Sequence, residues 1–407
     1  MKNKRILFVT QMFPYPLDSG AKVRAYYMLR HLAQHHHVTL VSLVRETDPK
    51  GAADHLAEFC EDVRSVVLRR SSLREVSSGL ESFLTGHPAL ILRDRHPAFR
   101  TQLETLTRDS RFDAIHVDQI KTAQHVEGVG GLPRLIDMHN VYCEMIAGMA
   151  RLVRSPWRRR LLGREARLMA RYESRVCGEF DEILAVTKTN ARQLSKMIRW
   201  QRPVATLPIC VDVAETAIMA PTAESCDLLC VGAMFYPPNV DGVLWFLREV
   251  LPLIRREAPD ARLRIVGPRP DRAIVRAAAK DPLVSVAGHV EDLGPHWRAA
   301  RVSVVPLRAG SGMRVKILDA MARGVPVVST RLGAEGINAT DGEDIFLADD
   351  AGEFARAVVR LHRDRELRAK LAQNARRLIE TQYDWRRRYG EVDAIYERLF
   401  AAGGSKK

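Results

Sequence analysis

Three features of this 407-residue sequence predict an α/β protein built from two doubly wound, parallel-sheet domains. Short β-branched runs alternate with stretches of helical spacing through the first half of the chain. The alternation breaks over residues 201–226. It then restarts at Asp227 and continues towards the C-terminus. Parallel strands need crossover connections, and helices covering both faces of the sheet supply them.

Arg5–Thr10 is a short apolar run, read as a buried strand. A loop rich in Pro, Asp and Gly follows, Phe13-Pro14-Tyr15-Pro16-Leu17-Asp18-Ser19-Gly20. Ala21–Gln34 has helical spacing through Val23, Tyr26, Tyr27, Leu29 and Leu32, and Val38–Val44 is the next β-branched run. Further strands fit Val63–Leu68, Ala114–Val117, Arg134–Met138 and Glu182–Val186. Arg202-Pro203 and Leu207-Pro208 then punctuate a stretch without periodicity, read as a linker. The second half gives strands at Asp227–Val231, Arg262–Val266, Val284–Ala287, Val302–Pro306 and Pro326–Ser329, and helices at Asn239–Arg256 and Met313–Arg323. Helices Ala351–Tyr383 and Trp385–Ala401 close the chain. The expected domains are 1–200, a linker at 201–226, a second domain at 227–383, and a terminal helix and tail at 384–407 that return to the first domain. Open α/β sheets bind ligands at the carboxyl ends of their strands, so two such domains predict a ligand in a cleft between them.

Composition narrows the function. The chain is 46% hydrophobic and 28% charged, as globular proteins are. Its formal charge is +14. Residues 1–210 hold 33 basic and 22 acidic groups, a net +11, which favours an anionic partner such as a phosphate, a nucleic acid or an anionic lipid surface. No stretch approaches the ~20 apolar residues needed to span a bilayer. The run Ile6–Val9 is too short for a signal-peptide core. Cys60, Cys143, Cys177, Cys210, Cys226 and Cys230 form no C-x-x-C and no zinc-type spacing, and are expected to be reduced thiols of a cytoplasmic protein. His35-His36-His37 cannot all face one ion, so no metal is expected there.

The segment Val302–Thr330 carries the most chemistry. A strand leads into Gly310-Ser311-Gly312 and then a helix. The glycines let backbone approach an anion, and the amides of Met313, Arg314 and Val315 at a helix start favour phosphate. Arg314 and Lys316 add positive charge. Lys316 and Asp319 are three apart and share a helix face, which suits a diphosphate and a ribose.

These residues, followed by Ala320-Met321-Ala322, Gly324, Pro326-Val327-Val328 and Gly333-Ala334-Glu335-Gly336, resemble the retaining glycosyltransferases of GT-B fold and family 4 type. Ser19-Gly20, Val231-Gly232 leading into Pro238-Asn239-Val240-Asp241, and the Trp385–Tyr396 helix extend the resemblance over nearly the whole chain. The resemblance implies two Rossmann-like domains and transfer of a sugar from a nucleotide-sugar to a hydroxyl acceptor with the anomeric configuration kept. The acceptor it suggests is a lipid-linked saccharide of envelope or exopolysaccharide assembly.

By the same resemblance, His139, Lys316 and Arg314 are the expected catalytic residues. Gly20, Gly232, His289, Val290, Gly310, Ser311, Gly312, Met313, Val315, Asp319 and Glu335 are the expected donor-binding residues. Asp118 and Asn140 are candidates for the acceptor. The sequence departs from the family at two places. Ser311 stands where the first of two paired glutamates is usual, and Asp319 replaces the second. Met234 and Asn239 stand where an Arg and a Lys are common. Arg314 and Lys316, helped by Arg308, are expected to make good the missing charge. No Asp-x-Asp occurs, so neither a catalytic metal nor another cofactor is expected.

Arg151–Arg175 holds nine arginines and two glutamates, and Val153, Trp157, Leu161, Leu168 and Tyr172 fall on about one stripe. This basic amphipathic segment is a candidate for contact with an anionic membrane on the cytoplasmic side. Two other functions fit less of the sequence. A nucleotide-sugar epimerase of the same architecture would turn over donor without acceptor. A nucleic-acid-binding protein would show a recognition motif, and none appears; no nucleic-acid partner is expected.

Overall fold

The computed structural model describes residues 3–46, 48–49, 51–68, 72–109, 111–129, 131–153, 155–198, 203–219 and 227–404. It contains two all-parallel sheets. Seven strands form the first: β1 Arg5–Thr10, β2 His37–Val44, β3 Asp62–Val67, β4 Ala114–Asp118, β5 Arg134–Met138, β6 Glu182–Ala185 and β7 Ala205–Thr206, in the order β3-β2-β1-β4-β5-β6-β7. Six form the second: β8 Asp227–Val231, β9 Arg262–Val266, β10 Val284–Gly288, β11 Ala300–Val305, β12 Val327–Ser329 and β13 Phe346–Leu347, in the order β10-β9-β8-β11-β12-β13. Both are doubly wound. Strand order reverses at β1/β4 in one and at β8/β11 in the other, and such a reversal opens a crevice at the strands' carboxyl ends.

The chain divides into two compact units. One comprises Met1–Ala150, Arg154–Ile209 and Arg388–Lys407; the other comprises Arg151–Val153 and Cys210–Arg387. Each has its own apolar core. Ile6–Val9 of β1 are fully buried in the first, and Leu228, Ile265, Val302 and Val304 are fully buried in the second. These strands are covered on both faces, which is why their sequences are continuous apolar runs without alternation. In the first unit the C-terminal helix Glu391–Gly404 contributes Tyr396, whose hydroxyl meets His116 Nδ1 at 2.7 Å.

Several elements differ from the sequence expectation for identifiable reasons. The stretch expected as a linker contains β7, two residues too short to leave a pattern. Arg202, residues 220–226 with Cys226, and residues 405–407 lie outside the described residues. The helix expected over Asn239–Arg256 is Pro237–Trp245, then one π-helical turn Phe246–Val250, then Leu251–Glu257. Pro252 has no amide hydrogen to donate to a preceding turn, and a π-type widening accommodates it. The long helix expected from Ala351 breaks at Asp364, whose carboxylate accepts from the Leu367 amide and starts a new helix over Arg365–Gln382. Cys60, Cys143, Cys177, Cys210 and Cys230 are free, buried thiols.

Candidate active site

In the first unit the strand ends at the β1/β4 reversal bring five polar side chains together. Thr10, Asp118 and Asp137 lie in register on β1, β4 and β5. Thr10 Oγ1 donates to Asp118 Oδ2 at 2.9 Å, and Gln119 Nε2 donates to the same oxygen at 3.3 Å. His139, one residue past β5, places Nε2 2.8 Å from Asp118 Oδ1 and 3.8 Å from Asp137 Oδ2. Arg24, from the helix Gly20–Leu32, closes the group. Its Nε donates to Asp137 at 3.0 and 2.7 Å, and its Nη1 donates to the Leu207 carbonyl at 2.7 Å. All are fully or almost fully buried.

Charge here is internally matched. Burial alone would lower the His139 pKa, but Asp118 and Asp137 outweigh it and raise it to about 9. Burial pushes Asp137 up, and Arg24 with His139 pulls it well below the usual carboxylate range. Burial depresses His116 to about 4, so that ring is neutral, stacked on Phe8 with centroids 4.1 Å apart. Asp118, Asp137 and His139 also form, among the described residues, a cluster of three metal-ligand types whose ligand atoms lie within 4.8 Å. Arg24 and a protonated His139 already neutralise the two carboxylates, so the donor set suits an ion-pair network better than a cation.

Asp118, expected to face an acceptor, is instead buried with its carboxylate taken by Thr10, Gln119 and His139. It orients the imidazole. Asn140 is partly buried and lies just ahead of helix Tyr142–Leu152. Gly20 is the first residue of its helix. Ser19 is the N-cap, but its hydroxyl makes no capping bond and no acid sits in the first turn. That leaves amides at the helix start without side-chain acceptors among the described residues. Lys22 is held by Asp18 at 3.1 Å.

Three features of this unit went unnoticed in the sequence. Arg24 and Asp137 are 113 residues apart and carry no shared motif. Gln119 has φ +68, a strained value for a non-glycine residue at a strand end, and accepts the Tyr142 hydroxyl at 2.9 Å. Buried Glu173 accepts the Tyr142 and Cys143 amides at 2.7 and 3.0 Å, capping that helix from across the fold.

In the second unit the corresponding group gathers around the β8/β11 reversal, with a different balance of charge. Helix Val315–Ala322 starts two residues later than expected, with Arg314 as an N-cap that makes no side-chain capping bond. Arg314 curls back so that Nη1 donates to the carbonyls of Ser311, at 2.7 Å, and Gly312. Its Nη2 is buried without a hydrogen-bond partner among the described residues. Gly310 has φ +133, and a Cβ there would come within 2.6 Å of Arg314 Nη2, so glycine is required for this curl. Burial lowers the Arg314 pKa, against the field of Glu335. Met313 is buried, and Ser311 is partly exposed.

Lys316 Nζ donates to Asn239 Oδ1 at 3.1 Å, and Asn239 Nδ2 in turn donates to the Ala233 carbonyl at 2.9 Å. Burial lowers Lys316 to about 8. A Cβ at Gly232 would fall 2.5 Å from Lys316 Nζ, and one at Gly267 would fall 1.6 Å from the Gly232 carbonyl oxygen. The Gly267 amide donates to the Gly288 carbonyl at 2.8 Å. The loops after β8, β9 and β10 thus stack on one another beside Lys316. His289, next in the last of these loops, is exposed, and Val290 is partly buried. Asp319 pairs with Arg323 at 3.0 Å. Glu335 is partly buried, with its pKa raised by burial. Arg308 is committed to Asp241 through two bonds of 2.9 and 2.8 Å, so the expectation that it supplements Arg314 and Lys316 is not met by this arrangement.

The basic segment is two helices, Tyr142–Leu152 and Pro156–Cys177, with Arg154 outside the described residues. The single apolar stripe expected there is divided. Leu168 and Tyr172 are buried, whereas Trp157 and Leu161 are 64% and 43% exposed.

Comparison with known proteins adds to this geometry. Residues 225–364 match the family profile described as glycosyl transferases group 1, and residues 19–210 match the glycosyl transferase 4-like domain. An uncharacterised 44.6 kDa protein of the cps region of Klebsiella pneumoniae is 22% identical over 95% of this chain and 98% of its own length. The phosphatidyl-myo-inositol mannosyltransferase of Mycolicibacterium smegmatis is 30% identical over 39% of this chain and 42% of that protein. The MMP alpha-(1->4)-mannosyltransferase of Mycolicibacterium hassiacum is 25% identical over 82% of each. Among solved structures, Anabaena Alr3699/HepE with UDP and glucose has a TM-score of 0.69 at 13% identity, covering 97% of this chain and 100% of that one. The sucrose-phosphate synthase of Thermosynechococcus elongatus has a TM-score of 0.71 at 18% identity, covering 98% and 100%. These likenesses place the two sheets in the GT-B fold.

Proposed function

For a chain that belongs to the group 1, family 4-like glycosyltransferases of GT-B fold, and is thus a glycosyltransferase, we propose retaining transfer of a hexosyl unit from a nucleotide-sugar to a hydroxyl acceptor. The observation that carries the donor reading is the pair Arg314 and Lys316, two partly buried cations beside glycines and an uncapped helix start, with no carboxylate bonded to either among the described residues. A diphosphate supplies the missing negative charge, accepts from the orphaned Arg314 Nη2, and restores the Lys316 proton that burial disfavours.

The leaving diphosphate develops charge as the glycosidic bond breaks. Fixed cations and amides that meet it there lower the barrier without reorganising. In the retaining route the departing phosphate takes the acceptor proton on the face it leaves. No protein nucleophile is then needed, and this agrees with Ser311 standing where a carboxylate is common. His139, held protonated by Asp118 and Asp137, is the donor group offered to the sugar. Mannose is the sugar to test first, since the relatives include mannosyltransferases, and UDP or GDP are the bases to test first. The acceptor is read as a lipid-linked or polysaccharide intermediate, in keeping with the cps-region relative. The arginines of 151–175 are read as facing an anionic membrane surface.

The test is a panel of UDP-, GDP-, ADP- and dTDP-sugars, first by thermal shift and then by product analysis. One donor is expected to raise Tm and to yield an α-linked product from an α-linked donor. Inverted product refutes retention. Turnover of the donor without any acceptor refutes transfer in favour of epimerisation.

A further inference from the structure

Helix Ser72–Thr85 is inside out. Its buried side chains are Ser78 and Ser82, while Leu73, Val76, Leu80, Phe83 and Leu84 are 60% to 84% exposed. At 3.6 residues per turn those five side chains fall within an arc of about 100°, a full apolar face turned to solvent. The inward face is polar by design. Ser78 Oγ donates to the Glu75 carbonyl at 2.9 Å, and Ser82 Oγ and its carbonyl accept from Arg164 at 3.0 and 2.7 Å. An apolar face of this size on an otherwise satisfied helix marks a surface meant to be covered.

Arg164 links this helix to the basic helix Pro156–Cys177, and its guanidinium lies 4.2 Å over the Phe83 ring. Trp157 and Leu161 are seven and three residues before Arg164 and share its helix face, and both are exposed. Arg158, Arg159 and Arg160 beside them are exposed as well. Arg69 and Arg70 precede the apolar helix in the sequence. Large apolar side chains bordered by arginines, in a half-chain of net +11, match a surface that offers hydrocarbon beneath anionic headgroups.

We propose that the outward row Leu73, Val76, Leu80 and Leu84 enters an anionic membrane, with Trp157 and Leu161 beside it at the interface and the arginines on the headgroups. This deepens the membrane reading of 151–175 given above and rests on it. The basic helix alone provides attraction that salt screens. The apolar row provides burial that salt does not.

The test is co-sedimentation of the full chain with vesicles of phosphatidylcholine, with and without phosphatidylglycerol, over a salt series. The wild type is expected to bind only the anionic vesicles at low salt and to retain part of that binding at high salt. Leu73→Ala/Leu80→Ala/Leu84→Ala, which keeps helix propensity, is expected to weaken binding about ten-fold or more and to remove the salt-resistant part. Arg158→Gln/Arg159→Gln/Arg160→Gln is expected to lose the low-salt attraction. A leucine variant that sediments like wild type while the arginine variant does not overturns the proposal and leaves the basic-helix reading standing. A wild type that ignores anionic vesicles overturns both. A leucine variant that leaves vesicle binding unchanged but converts a dimer to a monomer in sedimentation velocity assigns the face to a second copy and overturns the proposal.

Discussion

The two strand-order reversals both gather ionised groups and treat them in opposite ways. At β1/β4, Arg24 and His139 face Asp137 and Asp118, and each charge has a buried counterion. At β8/β11, Arg314 and Lys316 meet, among the described residues, only carbonyls and an amide, and burial lowers both their pKa values. A matched network fixes geometry and costs stability when one member is removed. An unmatched pair of cations carries a charge deficit, which an anionic ligand relieves. The first unit thus holds His139 rigidly, and the second is the unit that we propose receives the negative charge of the donor.

The comparison breaks most visibly at Arg24. Arg24→Met strands Asp137 without its principal counterion, and a loss of about 3–5 kcal/mol in urea unfolding is expected. A loss below about 1 kcal/mol would mean that the network is not matched as described.

The pH dependences of the two groups separate next. His139 sits at about 9 in the fold against 6.5 when free, so its stabilisation is complete below about pH 6.5 and is lost as pH rises through 9. About 3 kcal/mol is at stake, read as a fall in Tm between pH 6.5 and 9.5, and His139→Gln removes that slope. Lys316 behaves oppositely. With its value lowered to about 8, it loses the charge that the donor needs just above that pH. Nucleoside diphosphate affinity is expected to be flat up to about pH 7 and about ten-fold weaker at pH 9, by calorimetry. Affinity that is constant from pH 7 to pH 9 removes Lys316 from the binding step.

The smallest expected effect is at Gly232. A Cβ there presses on the Lys316 ammonium and the Asn239 amide. The lysine end is flexible, so Gly232→Ala is expected to weaken donor binding by only about three- to ten-fold, with Tm nearly unchanged. A collapse in Tm would show that the loop, rather than the lysine, needs the glycine.

Much of this was legible from residue types alone. The β-branched runs announced the covered parallel strands. Gly310 to Lys316 pointed to the proposed anion site, because glycines, a helix start and two cations lie within seven residues. His139 was legible because it follows a strand. The pairings were not. Arg24 meets Asp137 across 113 residues, and nothing local in Lys22-Val23-Arg24 distinguishes a buried arginine from a solvated one. Asp118 reads as an available carboxylate until Thr10 and His139 are seen to occupy it. Arg308 reads as a third phosphate ligand until Asp241 is seen to hold it. Asp364 breaks a helix by a single capping bond, a signal weaker than the periodicity running through it. Helix Ser72–Thr85 shows its apolar stripe plainly in sequence, but periodicity cannot say which way the stripe faces.

The most direct measurement is calorimetric titration of UDP and GDP into wild type and into Arg314→Gln/Lys316→Gln at pH 7. Saturable binding by the wild type, about 100-fold or more weaker in the double variant with Tm held or raised, is the predicted result. Equal affinity in both proteins would contradict the assignment of the diphosphate to these two cations.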